Sequence, residues 1–303
     1  SITLTTSNDV VNTTSATAVL TTGEGNDVIY GLTNGLLTSG DVIDGAGGTD
    51  RITAKVTAAS QTIKPTLTSI ETVEIDITSV TQKDLTIDVT STDKAVTTLT
   101  VTSTDVATGA DDSVVTLKGI QTTDAVSYTG PQTGTHTSAT VTYDTVTGLA
   151  DSASLTLGGN VTDVILTGLE TLSINVKDFV GKLTPEDVET LTITSGSVTT
   201  NTSTITDIVQ SSDDLATLNL AGSGEKLDIN DANIAFKGNA VVNITNTGIT
   251  QLALANLANA TNSLTITGAG GADDVDIDTV GRGTITVNTN AGDDTVKVDG
   301  GVV

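Results

Sequence analysis

The sequence contains no cysteine, no methionine and no tryptophan, and only two Phe and three Tyr among 303 residues. Without cysteine, neither disulfides nor thiolate metal sites can form. With aromatics at 2%, a sugar cleft built on aromatic platforms is excluded, and any core must come from Val, Ile, Leu, Ala and Thr. Positive charge is equally scarce. Twelve Lys and Arg face 37 Asp and Glu, a formal net charge of −25, which repels nucleic acid and anionic membrane. No apolar run approaches the ~18 residues of a membrane-spanning helix, so no membrane insertion is expected. Nor does a basic and then apolar signal region follow Ser1. The chain is therefore expected to be a mature product, a fragment, or the cargo of a route without an N-terminal signal.

The missing residues also argue against an enzyme. The single His, His136, sits in the segment Tyr128–Ser138 with no acidic residue within seven positions on either side, and reads as a surface-loop residue. Ser and Thr are abundant, but none lies in G-x-S-x-G. Acid pairs such as Asp111-Asp112 and Asp213-Asp214 are too common here for one to stand out as a catalytic dyad.

What the chain does contain is short alternation of aliphatic residues with Thr, which reads as β-strand. Val, Ile and Thr are stiff at χ1 and pack well on a pleated surface. A looser repeat underlies the alternation. Ile70–Ile75 (IETVEI), Val96–Val101 (VTTLTV), Leu169–Ile174 (LETLSI), Val188–Ile193 (VETLTI) and Leu215–Leu220 (LATLNL) share one template: apolar, any, Thr, apolar, polar, apolar. Leu172 and Leu191 are 19 residues apart, and roughly 20 residues make one coil of a solenoid. Longer spacings are expected to be coils with inserted loops. The fold class is therefore all-β, a parallel β-helix or solenoid, with β-sandwich modules as the alternative. Helix signals are few. Thr184-Pro185-Glu186-Asp187 has an N-cap followed by Pro and predicts a single helical turn. Gln251–Asn259 reads as a short helix or another coil, and Tyr128–Ser138 as an exposed insertion.

Four windows combine glycine with aspartate: Thr22–Gly31, Ser39–Thr53, Gly268–Asp278 and Asn290–Gly301. Each follows, with departures, the nonapeptide G-G-x-G-x-D-x-U-x, where U is a large aliphatic residue. Glycine permits the positive φ of a tight turn and lets carbonyls face a cation. The Asp adds a carboxylate, and two positions later an aliphatic residue points into the coil. Calcium takes 6–8 oxygens at about 2.3–2.6 Å, more than one turn offers, so stacked turns must share each ion. Taking Asp as the sixth position pairs Asp27 with Ile29, Asp41 with Ile43, Asp50 with Ile52, Asp273 with Val275 and Asp294 with Val296. Gly45–Ile52 (GAGGTDRI) and Gly268–Val275 (GAGGADDV) are near-copies more than 200 positions apart. The departures are Thr22 where the first Gly belongs and Asn290 in place of the second. The candidate ligand set is Gly23, Gly25, Asn26, Asp27, Asp41, Gly45, Gly48, Asp50, Gly268, Gly271, Asp273, Gly292 and Asp294. Asp44, Asp274, Asp276 and Asp293 are candidate extra ligands, and several Ca2+ ions are expected, a few at each end. The corresponding organisation is a calcium-binding β module over 1–55, a Thr-rich solenoid body over 56–267 and a calcium-binding repeat module over 268–303.

On these residues the chain resembles the calcium-binding RTX (hemolysin-type) exoproteins of Gram-negative bacteria and cyanobacteria, and among them the S-layer proteins. The resemblance is specific over Thr22–Thr53 and Gly268–Gly301. It implies type I secretion, folding outside the cell in millimolar calcium, and residence at the bacterial cell surface. The expected function is a structural subunit of a surface layer or filament. Its main partner is then itself, in a homo-oligomeric lattice or filament, with cell-surface glycan or lipopolysaccharide as a further contact. The alternatives are an adhesin or biofilm-matrix module that binds a glycan or receptor and, last, a polysaccharide-degrading β-helix enzyme.

Overall fold

A computed structural model describes residues 2–3, 6–12, 19–31, 37–56, 61–77, 84–90, 93–104, 114–132, 138–144, 150–196, 202–248, 250–255, 263–268, 270–278 and 284–299. Every regular element among them is a β-strand. The chain divides into two compact units, Ser1–Thr145 and Val146–Val303, each a parallel β-solenoid. The expected limits at 55/56 and 267/268 fall inside these units.

The first unit contains β1 (Ile2–Thr3), β2 (Val10–Asn12), β3 (Val19–Thr21), β4 (Val28–Gly31), β5 (Val42–Asp44), β6 (Arg51–Val56), β7 (Gln61–Ile63), β8 (Thr66–Thr68), β9 (Thr72–Ile77), β10 (Leu85–Asp88), β11 (Thr98–Ser103), β12 (Val114–Ile120), β13 (Ala125–Thr129) and β14 (Ser138–Tyr143). They stack in three parallel ladders: β1–β3–β5–β8, β2–β4–β6–β9–β11–β13 and β7–β10–β12–β14.

The second unit contains β15 (Ser152–Thr167), β16 (Thr171–Pro185), β17 (Thr190–Ser195), β18 (Thr202–Ala221), β19 (Lys226–Ile244), β20 (Thr250–Ala255), β21 (Ser263–Thr267), β22 (Asp273–Asp278), β23 (Thr284–Asn288) and β24 (Thr295–Asp299). Its four long strands run through two ladders and shift register between them, as β15 does at Gly158/Asn160 against β16. One ladder then continues through β21 and β23, the other through β20, β22 and β24.

The repeated template marks the coils. Val73 pairs with Leu99 and Ile75 with Val101. Leu172 pairs with Leu191 and Ile174 with Ile193, and Leu191 pairs in turn with Leu218. All of these side chains are at most 2% exposed. The coil therefore takes 19 residues from Leu172 to Leu191 and 27 from Leu191 to Leu218. Each such side chain removed from water contributes about 1.5–3 kcal/mol, and pairing like with like every ~4.8 Å turns the core into continuous aliphatic columns. The outward positions form polar columns. Asn243 donates to Asn219 Oδ1 at 2.9 Å, and Asn219 donates to Thr192 Oγ1 at 3.2 Å.

Two expectations are corrected, and for Gln251–Asn259 the coil reading holds over the helical one as far as Ala255. Thr184 and Pro185 end strand β16 and are followed by a tight turn, not a helical one. Glu186 N–H donates to Leu166 O, and Asp187 adopts a positive φ of 65° that no helix permits. Gln251–Ala255 belongs to strand β20, in register with β19 and β22, because the ladder supplies every backbone partner that a short helix would lack; 256–259 lie outside the described residues. Tyr128 is 1% exposed within β13, and Gly130 and Pro131 are buried too, so the start of this segment is core and not an exposed insertion; 133–137, with His136, lie outside the described residues. Among the aliphatic residues two places after each Asp, Ile29, Ile43, Ile52 and Val275 are buried, whereas Val296 is 42% exposed. β24 ends its ladder among the described strands, and no further strand there covers Val296.

Candidate cation-binding corners

In the first unit the Gly/Asp windows become stacked turns at the corner where each coil passes from one ladder to the next. Thr21 pairs with Asp44, Glu24 bridges Gly47, and Val28 pairs with Arg51. All three offsets are 23 residues, so the two turns align residue for residue: Gly25 beside Gly48 and Asp27 beside Asp50. Pairing of Val10 with Val28 and of Arg51 with Thr72 adds Asp9 before this column and Glu71 after it. The four acids form a relay. Asp9 N–H donates to Asp27 Oδ1 at 2.7 Å, Asp27 N–H to Asp50 Oδ1 at 2.8 Å, and Asp50 N–H to Glu71 Oε2 at 2.6 Å. Each carboxylate thus caps the strand start of the coil before it. Asp27 and Asp50 are 1% and 0% exposed, and the Oδ2 atom of each is buried without a hydrogen-bond donor.

Glycine is required here by crowding. A β-carbon on Gly48, at φ 127°, would lie 1.9 Å from the carbonyl oxygen of Gly25. Ala46 takes φ 62° with its N–H donating to Asp44 Oδ1 at 2.9 Å, which occupies one oxygen of that candidate ligand. Thr22 is fully buried and its hydroxyl donates to Gly45 O at 3.1 Å, so this departure from the repeat fills a carbonyl that a glycine would leave open. Asn26 is also engaged: its Oδ1 accepts Thr49 N–H at 2.9 Å, while its own N–H donates to Asn8 Oδ1 at 2.8 Å. Asp41 is not brought to this corner. It precedes β5 and accepts Thr38 N–H at 2.6 Å.

The second unit repeats the arrangement. Asp274 pairs with Thr295, which sets Asp273 beside Asp294, and Asp273 N–H donates to Asp294 Oδ1 at 3.0 Å. Asp273 is 1% exposed and neither of its carboxylate oxygens meets a donor. A β-carbon on Gly292 would lie 1.9 Å from Gly271 O, and one on Gly271 would lie 2.6 Å from Gly248 O. Asn290, where the repeat has glycine, adopts φ 62°, a region Asn tolerates better than most residues, and its amide donates to Gly268 O. Asp274 and Asp276 fall on the outward positions of β22, accepting from Gln251 and Lys297 respectively, and Asp293 is exposed. The column thus takes Asp273 and Asp294 and leaves out their acidic neighbours.

Sequence reasoning missed Ser7, Asn8, Asp9 and Glu71 in the first corner and the Asn246–Gly248 turn in the second. One signal was present: Asn8-Asp9-Val10 recurs as Asn26-Asp27-Val28. Glu71 and Asn246 had no local signature and enter through register alone.

Burial is the main force raising the Asp50 carboxyl to about 6, with the charges of Asp27, Glu71 and Asp44 adding to it against one opposing backbone hydrogen bond. Asp273 is raised to about 6 by burial and then by Asp294. Among the described residues no three Asp, Glu or His side chains converge as a metal-binding group. The first corner instead presents one free carboxylate oxygen per layer and the second presents both oxygens of Asp273, each beside backbone carbonyls, and an uncompensated buried carboxylate is stabilised by a cation. The residues therefore fit an all-oxygen, hard divalent ion. Protein-family models, curated proteins and solved structures return no match to this chain.

A pH dependence follows. Because Asp50 and Asp273 hold protons more tightly folded than unfolded, the ion-free fold binds extra protons between about pH 4 and 6, and its stability rises as pH falls through that window. After solvent screening the gain is about 1–2 kcal/mol per group. In chelator, the urea midpoint is expected to be higher at pH 5 than at pH 7. The difference should shrink in an Asp50→Asn/Asp273→Asn variant, which separates these two groups from general relief of charge repulsion. A higher midpoint at pH 7 in chelator would contradict the assigned shifts.

Proposed function

We propose that this chain is a calcium-stabilised structural protein of the bacterial cell surface, a subunit of an S-layer or surface filament of the RTX type, exported by type I secretion and folded outside the cell. The observation that carries the reading is the recurrence, in both units, of stacked glycine turns enclosing buried carboxylate oxygens without donors at Asp27, Asp50 and Asp273. A chain of net charge −25 repels itself when ion-free, and bound calcium offsets that repulsion and couples folding to the ion. Parallel ladders of short coils supply a rigid, extendable scaffold, in keeping with a load-carrying role.

One observation favours a second reading, a glycan-binding adhesin. The outer surface of β6, β9 and β11 carries a groove lined by Thr53, Glu74, Ile75, Asp76, Thr100, Thr102 and Thr104, mostly apolar in its exposed surface, where two carboxylates and the Thr hydroxyls could meet sugar hydroxyls. Electron microscopy of the purified protein separates the two. Sheets or filaments that form in millimolar calcium and dissolve in EDTA are expected. Monodisperse monomers under all conditions would remove the structural reading and leave the adhesin.

A further inference from the structure

We propose that the corner of the first unit holds divalent cations in two layers, the additional one lying between the Ser7–Asp9 turn, which lacks the Gly/Asp pattern, and the Gly23–Asp27 turn. The proposal rests on the calcium reading above and extends it to a turn that carries no glycine.

The relay fixes which way each carboxylate faces. Asp27 Oδ1 accepts the N–H of Asp9, so this carboxylate projects into the space between its own turn and the Asp9 turn. Its other oxygen is buried there without a donor, on a side chain 1% exposed. Asp50 Oδ1 accepts the N–H of Asp27, so the Asp50 carboxylate projects into the next space, between the two glycine turns, and its Oδ2 is likewise without a donor. There is one free carboxylate oxygen in each layer, not two in the layer that the sequence repeat would single out.

The carbonyls repeat in the same order. In the layer between the glycine turns, Gly25 O lies 1.9 Å from the place a Gly48 β-carbon would occupy. In the earlier layer, Ser7 O lies 2.9 Å from the place a Gly25 β-carbon would occupy. Ser7 precedes Asp9 by two residues, as Gly25 precedes Asp27 and Gly48 precedes Asp50. The crowding in each layer falls on the residue of the later turn. Gly25 and Gly48 must therefore be glycine, whereas the first turn of the stack contributes its carbonyl equally well from a serine. That is why the first turn does not match the nonapeptide and still completes a layer.

The stack also has a physical end. The third coil covers the corner in four residues, Thr68 to Glu71, where the second takes seven, Asp44 to Asp50, although Thr68 pairs with Asp44 and Thr72 with Arg51. The shorter turn omits the glycine segment, and Glu71 closes directly on Asp50 N–H. Two layers are thus defined, each offering a carboxylate oxygen and a backbone carbonyl, the donor type of calcium and unlike that of thiophilic metals.

The test counts ions on the intact chain. Asn retains the Oδ1 acceptor that serves the relay and replaces only the free oxygen with an amide, so Asp27→Asn and Asp50→Asn each disable one layer. Native mass spectrometry with added Ca2+, read on the compact charge states alone, keeps partial unfolding from imitating a lost site; calorimetric titration supplies the affinities. Each variant is expected to lose at least one ion relative to the parent, and the double variant to lose the sum. If Asp27→Asn retains the full count while Asp50→Asn loses ions, the additional layer does not exist and the calcium reading still stands. A parent chain that binds no Ca2+ would overturn both.

Discussion

Replacing Asp50 and Asp273 together by Asn is expected to lower the melting temperature measured in millimolar calcium by on the order of 10–20 °C, toward that of the chelated parent protein. A ligand at 100 times its dissociation constant stabilises the state it binds by about 2.7 kcal/mol. Losing one ion at each corner therefore costs roughly 5 kcal/mol, which at 2–4 °C per kcal/mol is on the order of 10–20 °C. The same variant should melt above the parent in EDTA, because it removes two buried charges whose carboxyls are raised to about 6 and which cost stability when ionised at neutral pH. This crossing, less stable with calcium and more stable without it, is what structural damage alone would not produce. Paired melts by circular dichroism in Ca2+ and in EDTA read it directly. A variant that melts like the parent, with an unchanged response to chelator, would show that these two carboxylates are not ligands.

The parts of the fold legible in the sequence were those written in local alternation. The template shared by Ile70–Ile75, Leu169–Ile174 and Val188–Ile193 foretold the register at which the coils pair, because a parallel ladder sets equivalent inward positions side by side and a one-residue slip would turn every Leu and Ile to solvent. The glycine turns were legible for a related reason. Gly48 and Gly25 answer to a steric demand between adjacent coils, and a demand that recurs per coil leaves a recurring letter.

What was not legible depends on partners about one coil or more away. Asp27, Asp41, Asp50, Asp274 and Asp276 look alike in sequence, yet only Asp27 and Asp50 enter a column, while Asp41 caps a turn at another corner and Asp274 and Asp276 alternate outward. The Thr184–Asp187 segment has the composition of a helix start, but the hydrogen bond from Glu186 to Leu166 O belongs to the neighbouring coil and overrides the local preference. Thr22 and Asn290 read as defects of the repeat. One fills a carbonyl of the next turn and the other adopts the φ that glycine would have supplied.

The largest single cost is expected at a residue with no sequence signature at all. Glu225 is 0% exposed in the second unit, at the corner that leads into β19. Its Oε1 accepts from Asp178 N–H at 3.0 Å and from the Ser203 hydroxyl, and its Oε2 accepts from Gly196 N–H at 3.1 Å. Ser203 in turn accepts Phe179 N–H at 3.1 Å. One side chain therefore satisfies donors 47, 22 and 29 residues away. A β-carbon on Gly196 would lie 2.5 Å from Glu225 Oε2, so a side chain there would have to push the carboxylate off its donors. Glu225→Ala leaves one buried and two half-buried donors without acceptors, each worth about 1–3 kcal/mol, for an expected loss of about 3–6 kcal/mol, a large share of a typical domain's stability. Glu225→Gln keeps one acceptor oxygen but turns an amide N–H2 toward one of the donors, and should lose about half as much. Urea unfolding of both variants in EDTA, where calcium contributes nothing, measures this anchor separately from the cation corners. A loss under about 1 kcal/mol for Glu225→Ala would mean that water takes over all three donors and that the buried carboxylate is not what holds these coils at the corner.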